Sequence, residues 1–171
     1  MMKTLKFKSG LQTTTRRNGG FSLIELLIVV AVILVIAAIA IPNYMKSKMR
    51  ANEASAVQNL RNVATAELVY STTYGVDFSS TLLQLSGNGI NPDQNHAGLI
   101  DEILASGVKS GYVITYTPVT FDPQGNPSTY SVTADPQTPG TTGSRHYYTD
   151  QSCVIRWNDN VQAGATDPPI N

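Results

Sequence analysis

The sequence has little charge and a single cysteine. Charged side chains make up 14% of its 171 residues, whereas soluble proteins average about 25%. The lone cysteine, Cys153, excludes a disulfide bond within the chain. Because cysteine generally prefers burial, we expect a buried, inert thiol there. An intermolecular bridge or a reactive thiol is the alternative.

Sequence signatures of the common enzyme classes are missing as well. No G-x-S-x-G, H-E-x-x-H, C-x-x-C or phosphate-binding loop occurs in the chain. We therefore expect a protein that is not an enzyme and that uses no cofactor. Calcium is the one metal that the composition suggests, since carboxylate oxygens are its preferred ligands. The weak candidates are Asp135, Asp150 and Asp159, although turn-forming, solvated aspartates are the simpler reading.

Acidic residues are absent from the first twenty positions. The basic residues there are Lys3, Lys6, Lys8, Arg16 and Arg17. From Phe21 onward the chain carries the remaining 7 of its 12 basic side chains and all 12 acidic ones, a net charge of −5. Cationic segments stay on the cytoplasmic side of a membrane. The acidic remainder argues against nucleic-acid binding over the main surface.

A long apolar run follows this basic segment. From Phe21 to Ile41 the only polar residues are Ser22 and Glu25, and about 20 apolar residues suffice to cross a bilayer as a helix. No clear cleavage site of the A-x-A kind follows the run directly, so we expect it to remain in the mature protein. A carboxylate in such a segment costs several kcal/mol. Glu25 either lies near enough to the headgroups to stay solvated or meets a cation from another chain, and we favour the second reading.

The stretch GGFSLIELLIVVAVILVIAAIAIPNY resembles the N-terminal signature of type IV prepilins and of the related pseudopilins of type II secretion. That signature is a basic leader ending in glycine, followed by an aromatic residue, a small hydroxyl residue, an aliphatic pair and a glutamate. The matching positions are Gly20, Phe21, Ser22, Leu23, Ile24 and Glu25. Pro42 and Tyr44 match further along, so that the close resemblance covers about 30 of the 171 residues.

The resemblance implies a specific course of processing and assembly. A membrane prepilin peptidase would cut between Gly20 and Phe21 and methylate the new amine of Phe21. Glu25 would face the N-terminal amine of a neighbouring subunit in a filament. Pro42 would border a segment that loses helicity when subunits pack together. The leader of twenty residues is long beside those of many major pilins, which leaves the subclass open.

The fold expected from this pattern is α+β, with a long N-terminal helix packed against a small antiparallel sheet of about four strands. The predicted parts are a basic leader that is removed (1–20), a hydrophobic membrane and filament-core helix (21–42), its amphipathic continuation (43–73), a connecting loop with a short helix (74–111), and an antiparallel sheet with a C-terminal loop (112–171). The predicted buried stripe of the continuation is Met45, Met49, Val57, Leu60, Ala64 and Leu68. Glu67 is assigned to another face, and Gly75 ends the helix.

The second half of the chain is predicted in finer detail as well. A short helix before Gly107 carries Leu99, Ile100, Ile103 and Leu104 on one side. Four strands begin near Tyr112, Ser128, Arg145 and Cys153. In pilin-like proteins that resemble the C-terminal part, a glycine often stands where Cys153 is. If that turn needs a positive φ, Cys153 is strained.

Three functions remain open at this level. The first is a structural subunit of a type IV pilus that serves adhesion, twitching motility or DNA uptake. The second is a pseudopilin of a type II secretion system, and a calcium ion in the C-terminal loops would favour it. The third is a single-span periplasmic binding or adhesion module that never polymerises. The partners expected for the first two are further copies and other pilins, the prepilin peptidase and N-methyltransferase, the inner-membrane pilus or secretion assembly machinery, and membrane lipid before assembly.

Overall fold

A computed structural model of the chain describes residues 20–87 and 91–170. The predicted leader therefore lies outside the described residues, except for Gly20 at its end. The chain divides into two units, with the boundary between Ala40 and Ile41. This boundary coincides with the end of the apolar run in the sequence.

The first element is a long helix, α1, which runs from Leu23 to Tyr74. It ends where Gly75 adopts a φ of 68°, a left-handed conformation that glycine reaches without strain. Pro42 lies inside α1. The predicted long helix that stops at Gly75 is thus confirmed. Among the described residues, α1 is the one helix that is long and apolar enough to cross a membrane.

The unit that starts at Ile41 contains a five-stranded antiparallel sheet, with the strands in sequence order. Its strands are β1 (Val108–Lys109), β2 (Tyr112–Phe121), β3 (Pro127–Pro136), β4 (His146–Asp150) and β5 (Arg156–Asn158). The predicted antiparallel meander is confirmed, with β1 in addition. The last strand begins at Arg156 and not at Cys153 as predicted, because residues 151–155 form the turn that leads into it.

The core of this unit lies between one face of α1 and one face of the sheet. Leu60 and Val63 of the helix are fully buried there, in the same apolar cluster as Val132 of β3. Aromatic rings fill the space near the end of the helix, where Tyr130 stacks on Tyr116 with ring centroids 5.5 Å apart. The expectation that one face of the sheet packs on the helix is confirmed.

The buried face of α1 differs from the predicted stripe. The buried residues are Ala56, Asn59, Leu60, Val63, Ala64, Ala66, Glu67 and Tyr70. The prediction is right for Leu60 and Ala64, but Met45 and Leu68 are exposed. The helix is therefore turned so that Glu67 points inward, and its assignment to another face is wrong. Apolar spacing alone misses this because a carboxylate with partners can occupy a buried position.

Two short helices lie in the connector. They are α2 (Leu82–Leu85) and α3 (Glu102–Ala105), and the side chains of Thr81 and Asp101 cap their N-termini. The predicted helix before Gly107 exists, but it is a single turn and Ile103 is exposed. Leu99 and Ile100 precede this helix, and Leu104 is buried. The prediction that these three residues and Ile103 lie on one side of it is therefore wrong. A single turn presents too few positions to build a continuous apolar face.

The turn between β4 and β5 holds the single cysteine. Its backbone N–H donates to the carbonyl oxygen of Asp150 at 2.9 Å, and the φ of Cys153 is 58°. The conditional prediction of a positive φ is confirmed. The thiol is exposed, so the prediction of a buried, inert thiol is wrong. Tight-turn geometry, and not core packing, decides the position of this side chain.

Hydrogen bonds hold the C-terminal segment after β5 against the rest of the sheet unit. Arg156 donates from Nη1 to the carbonyl oxygen of Asp167 at 2.8 Å. The Asp167 carboxylate accepts from Nδ2 of Asn158 at 3.0 Å and from the backbone N–H of Gly164 at 2.8 Å. The backbone N–H of Ile170 donates to the carbonyl oxygen of Ile155 at 2.8 Å. These bonds close the C-terminal loop without a covalent link.

Candidate functional site

The start of α1 forms a capping arrangement. The backbone N–H of Ser22 donates to Oε2 of Glu25 at 2.8 Å, and the backbone N–H of Leu26 donates to the carbonyl oxygen of Ser22 at 3.2 Å. Serine at the N-cap with glutamate three residues later is the capping-box sequence. Sequence reasoning missed this role, although the S-L-I-E spacing carries its signal. A carboxylate there is also favoured by the helix dipole.

The apolar residues that follow have no cover within their own unit. Every phenylalanine, leucine, isoleucine and valine from Phe21 to Ile41 is exposed. Soluble monomers rarely expose contiguous apolar surface larger than a few hundred Å². This half of α1 therefore needs an apolar surrounding, either lipid or other helices.

The residues predicted for processing and assembly lie along this same stretch. Gly20 and Phe21 are exposed just before α1, where a protease can reach the peptide bond between them. Pro42 has no N–H to donate, so it cannot make the helical bond to the carbonyl oxygen of Ala38. The cut, the methylation and the contact with a neighbour's amine stay predictions.

The three aspartates predicted as weak calcium ligands do not come together. Asp135 contacts Nδ1 of His146 at 2.6 Å, Asp159 accepts from Nε of Arg145 at 3.3 Å, and Asp150 lies in the Cys153 turn. Within residues 20–87 and 91–170, no group of three His, Cys, Asp or Glu side chains could hold a metal ion. Each aspartate has a separate structural partner.

A buried carboxylate cluster joins α1 to the loop that follows it. Glu67 is 0% exposed; its two oxygens accept from the backbone N–H of Ser79 at 3.0 Å and from the Ser79 hydroxyl at 2.5 Å. The Tyr116 hydroxyl donates to the carbonyl oxygen of Ser79 at 2.8 Å. Burial raises the pKa of Glu67, and the Ser79 hydrogen bonds oppose that rise. This cluster fixes the loop on the helix.

Comparisons with known proteins agree with the N-terminal signature. Residues 15–41 match the family model of the prokaryotic N-terminal methylation motif. The type IV major pilin protein PilA of Myxococcus xanthus is 53% identical over 51 residues, which cover 30% of this chain and 23% of that protein. A fimbrial protein of Pseudomonas aeruginosa is 37% identical over 115 residues, which cover 58% of this chain and 75% of that protein. The likeness therefore extends well beyond the apolar helix.

The chain belongs to the type IV pilin family. A third relative of this pilin, the type IV wide pilus major component PilA4 of Thermus thermophilus, is 40% identical over 55 residues, covering 32% of this chain and 42% of that protein. The matches thus span less than half of the Myxococcus and Thermus relatives. No solved structure shows significant similarity to the chain. The names of its relatives support a structural subunit of a pilus, and its motif and apolar helix fit membrane anchoring.

Proposed function

We propose that this pilin is cut between Gly20 and Phe21, methylated on the new Phe21 amine, held in the inner membrane by the apolar half of α1, and polymerised through that same half. The observation that carries the proposal is the pairing of a fully exposed apolar helix with one carboxylate at its start. A membrane anchor alone needs the first feature, whereas a carboxylate in such a segment costs free energy.

The exposed apolar side chains supply the attraction between subunits. Lipid covers them before assembly, and the helices of neighbouring copies cover them afterwards. Removing apolar surface from water yields about 25 cal/mol per Å². Lipid is already apolar, so helix packing gains less than this on leaving the membrane. Selectivity must therefore come from a polar contact.

Glu25 is placed to supply that contact. The Ser22 amide occupies Oε2, and a carboxylate has about four lone-pair sites. Oε1 accepts no hydrogen bond from the described part of the chain. We infer that Oε1 receives the Phe21 ammonium group of a neighbouring subunit. In surroundings of low dielectric such a pair attracts strongly, while either charge alone is poorly solvated. Only a neighbour in the correct register removes both penalties.

The missing helical bond at Pro42 gives the fibre a place to extend. The proline leaves the carbonyl oxygen of Ala38 without its usual donor. We infer that the helix loosens around Pro42 when subunits pack together, and that this segment lengthens under load. Amide hydrogen exchange in assembled fibres measures the loosening as faster exchange near Pro42 than near Val63. Equal protection at the two places would contradict it.

Mass spectrometry of the purified mature protein tests the processing step. The expected N-terminal residue is Phe21, with one methyl group on its amine. An N-terminus at any other residue, or an unmodified Phe21, would refute this step. The proposal requires two partners, a peptidase that cuts and methylates and a machinery that extracts the subunit from the membrane. Processing at Phe21 in cells would be evidence for the peptidase.

Two substitutions at one position separate charge from helix capping. Glu25→Gln keeps an acceptor for the Ser22 N–H but removes the negative charge, and Glu25→Ala removes both. If the carboxylate recognises a neighbour's amine, both variants insert into the membrane and neither forms fibres. If Glu25→Gln assembles like the unaltered protein, Glu25 serves the cap alone. Membrane insertion of the unaltered protein without any fibres would favour a non-polymerising module.

The location of the fibre distinguishes a pilus from a secretion piston. The three relatives are named as pilins, fimbrial proteins or pilus components, which favours a surface fibre and, with it, a role in adhesion, motility or DNA uptake. Deletion of the gene is expected to remove fibres from the cell surface while protein secretion continues. Lost secretion with intact surface fibres would support the pseudopilin instead.

A further inference from the structure

A cationic groove lies between α1 and the residues that precede β4. Its volume is about 380 Å³. The lining residues are Lys46, Met49, Arg50, Glu53, Ser144 and Arg145. Lys46 and Arg50 are one helical turn apart and so lie on the same side of α1. Arg145 reaches the groove from the opposite wall, so that three cations surround one opening.

The wall opposite the helix is held in place. The Arg145 guanidinium lies 4.4 Å from the ring centroid of Trp157, and its Nε donates to Oδ1 of Asp159 at 3.3 Å. Glu53 Oε1 accepts from both the backbone N–H and the hydroxyl of Ser144, each at 2.9 Å. These bonds join the two walls across 91 residues of sequence. The position of Arg145 is thus set before any ligand arrives.

The remaining two cations have no structural task among the described residues. Lys46 and Arg50 are exposed and form no salt bridge within ranges 20–87 and 91–170. They are conspicuous because the unit from Ile41 onward is acidic, with 7 basic and 11 acidic side chains. A second groove of about 430 Å³ shares Arg50, Glu53 and Arg145 and continues along Val57, Tyr147, Trp157 and Ile170. The cationic opening therefore leads onto an apolar and aromatic floor.

The position in the sequence indicates what the groove meets. Lys46 comes five residues after Ile41, the last residue of the apolar run, and Arg50 comes nine residues after it. At about 1.5 Å per residue these distances are roughly 8 and 14 Å along a helix. The headgroup layer begins where the hydrocarbon ends and is roughly 5–8 Å deep on each side. Lys46 falls at the outer edge of this layer, and Arg50 lies roughly 6 Å beyond it.

We propose that Lys46, Arg50 and Arg145 bind the phosphate of an anionic lipid headgroup while the subunit is stored in the membrane. This inference rests on the proposed function in so far as the apolar half of α1 is a membrane anchor. The phosphate fits the three cations, and the glycerol and first methylene groups fit the apolar floor beside Trp157. Departure from the membrane exchanges this ligand for contacts in the fibre.

The protein carries its own reporter for the test. Trp157 is the only tryptophan, and it lies against Arg145, so a phosphate on Arg145 alters its fluorescence. The experiment titrates dihexanoyl phosphatidylglycerol into the full chain in uncharged detergent micelles. We expect a saturable change in Trp157 emission. Each cation near a membrane surface contributes about fivefold to affinity, so Lys46→Gln with Arg50→Gln should weaken binding roughly 25-fold.

A matched control removes the same charge from positions of α1 outside the groove. Lys48→Gln with Arg61→Gln also neutralises two exposed cations of α1, neither of which lines the groove. Affinity should stay within about twofold of that of the unaltered chain, because the site is intact. Equal weakening in both double variants would show a general charge effect and overturn the proposal. The absence of any saturable change in emission would overturn it too.

Two further ligands identify the source of the phosphate. Dihexanoyl phosphatidylcholine should produce no saturable change, because its headgroup is neutral overall. Inorganic phosphate should produce little, because it lacks the part that contacts the apolar floor. A response to inorganic phosphate as strong as that to phosphatidylglycerol would mean a site for free phosphate and overturn the lipid assignment. A response that follows protein concentration without lipid would mean a second copy in the groove, with the same consequence.

Flotation with phosphatidylcholine vesicles separates this inference from the proposed function. A full chain that floats but shows no Trp157 response retains its anchor and lacks the headgroup site. A full chain that does not float lacks the anchor, which would refute the membrane step of the proposed function itself.

Discussion

Two glutamates on the same helix, one in each half, differ in their burial and in their hydrogen-bond partners. Glu25 stands in the most apolar part of the sequence and yet is exposed, with one oxygen on the Ser22 amide. Glu67 stands in the mixed, amphipathic part and yet is fully buried, with both oxygens on Ser79. The environment of a side chain is therefore decided by what folds over the helix and not by its neighbours in sequence.

The same contrast holds for the apolar residues of the two halves. In the first half they are exposed, and in the second half those facing the sheet are buried. Burial within the subunit stabilises the fold, whereas exposed apolar surface stabilises only an assembly or a membrane-inserted state. Substitutions in the two halves should therefore affect different measurements.

The largest expected effect comes from a leucine of the second half. Leu60 is fully buried, so Leu60→Ala should lower the free energy of unfolding by about 3–4 kcal/mol. The matched control is Leu34→Ala, because Leu34 is 64% exposed and its loss should change that free energy by less than about 0.5 kcal/mol. Urea unfolding in uncharged micelles, followed by Trp157 fluorescence, measures both. Equal destabilisation by the two substitutions would contradict the claim that only the second half of α1 contributes to the stability of the folded subunit.

The next effect concerns the buried carboxylate. Glu67→Ala leaves a cavity and deprives the Ser79 amide of its acceptor, so we expect a loss of about 2–3 kcal/mol in the free energy of unfolding. Glu67→Gln should cost less than about 1 kcal/mol, because the amide can accept from the Ser79 N–H and donate to its hydroxyl. The same unfolding assay tests both variants. A glutamine variant as unstable as the alanine variant would show that the charge itself is needed.

A smaller effect should appear in the pH dependence of stability. Burial raises the pKa of Glu67 in the folded state, so the folded protein holds this proton more tightly than the unfolded chain does. The resulting stabilisation is complete below the unfolded pKa, near 4.5, and is lost as pH rises through the higher folded pKa. The free energy of unfolding of the unaltered protein, minus that of Glu67→Gln, should therefore fall as the pH rises above about 4.5. The subtraction cancels most other titrating groups, and a flat or rising difference would contradict the burial argument.

The smallest expected change is a gain in stability. Cys153 has a φ of 58°, which strains any residue with a Cβ atom, and its side chain is exposed. Cys153→Gly should raise the free energy of unfolding by about 0.5–1 kcal/mol, since glycine relieves the strain but loses more chain entropy on folding. Cys153→Ser, which keeps the Cβ atom, is the control and should change little. Stabilisation by serine as well would point to the thiol and not to the backbone.

The parts of the fold that depend on local chemistry are predictable from the sequence. The apolar run sets the first half of α1, Gly75 sets its end, and alternating residues set β2 and β3. Each of these signals lies within a few residues of the feature it predicts. The capping box at Ser22 and Glu25 is also a local signal. Sequence reasoning misses it because a charge in an apolar run is rare, and Glu25 is therefore interpreted as a contact in assembly.

The parts that depend on distant contacts are not predictable in this way. The burial of Glu67 requires Ser79, which lies 12 residues further on and approaches only because the loop folds back along the helix. The cationic groove requires Arg145, brought to α1 by the bond between Glu53 and Ser144 across 91 residues. Strand β1 has two residues, too few to show a period of two. No local sequence pattern predicts these three features.

The hydrogen-bonded closure of the C-terminal loop has a consequence for the order of events in time. A covalent cross-link would keep that loop attached until the whole domain unfolds. The bonds between Asp167 and the residues around it can break individually, so this end of the chain can detach and return many times during the life of one folded subunit. Local opening is then slow at the centre of the sheet and fast at the edge beside this segment. At that edge, backbone hydrogen-bonding groups become transiently accessible to another molecule.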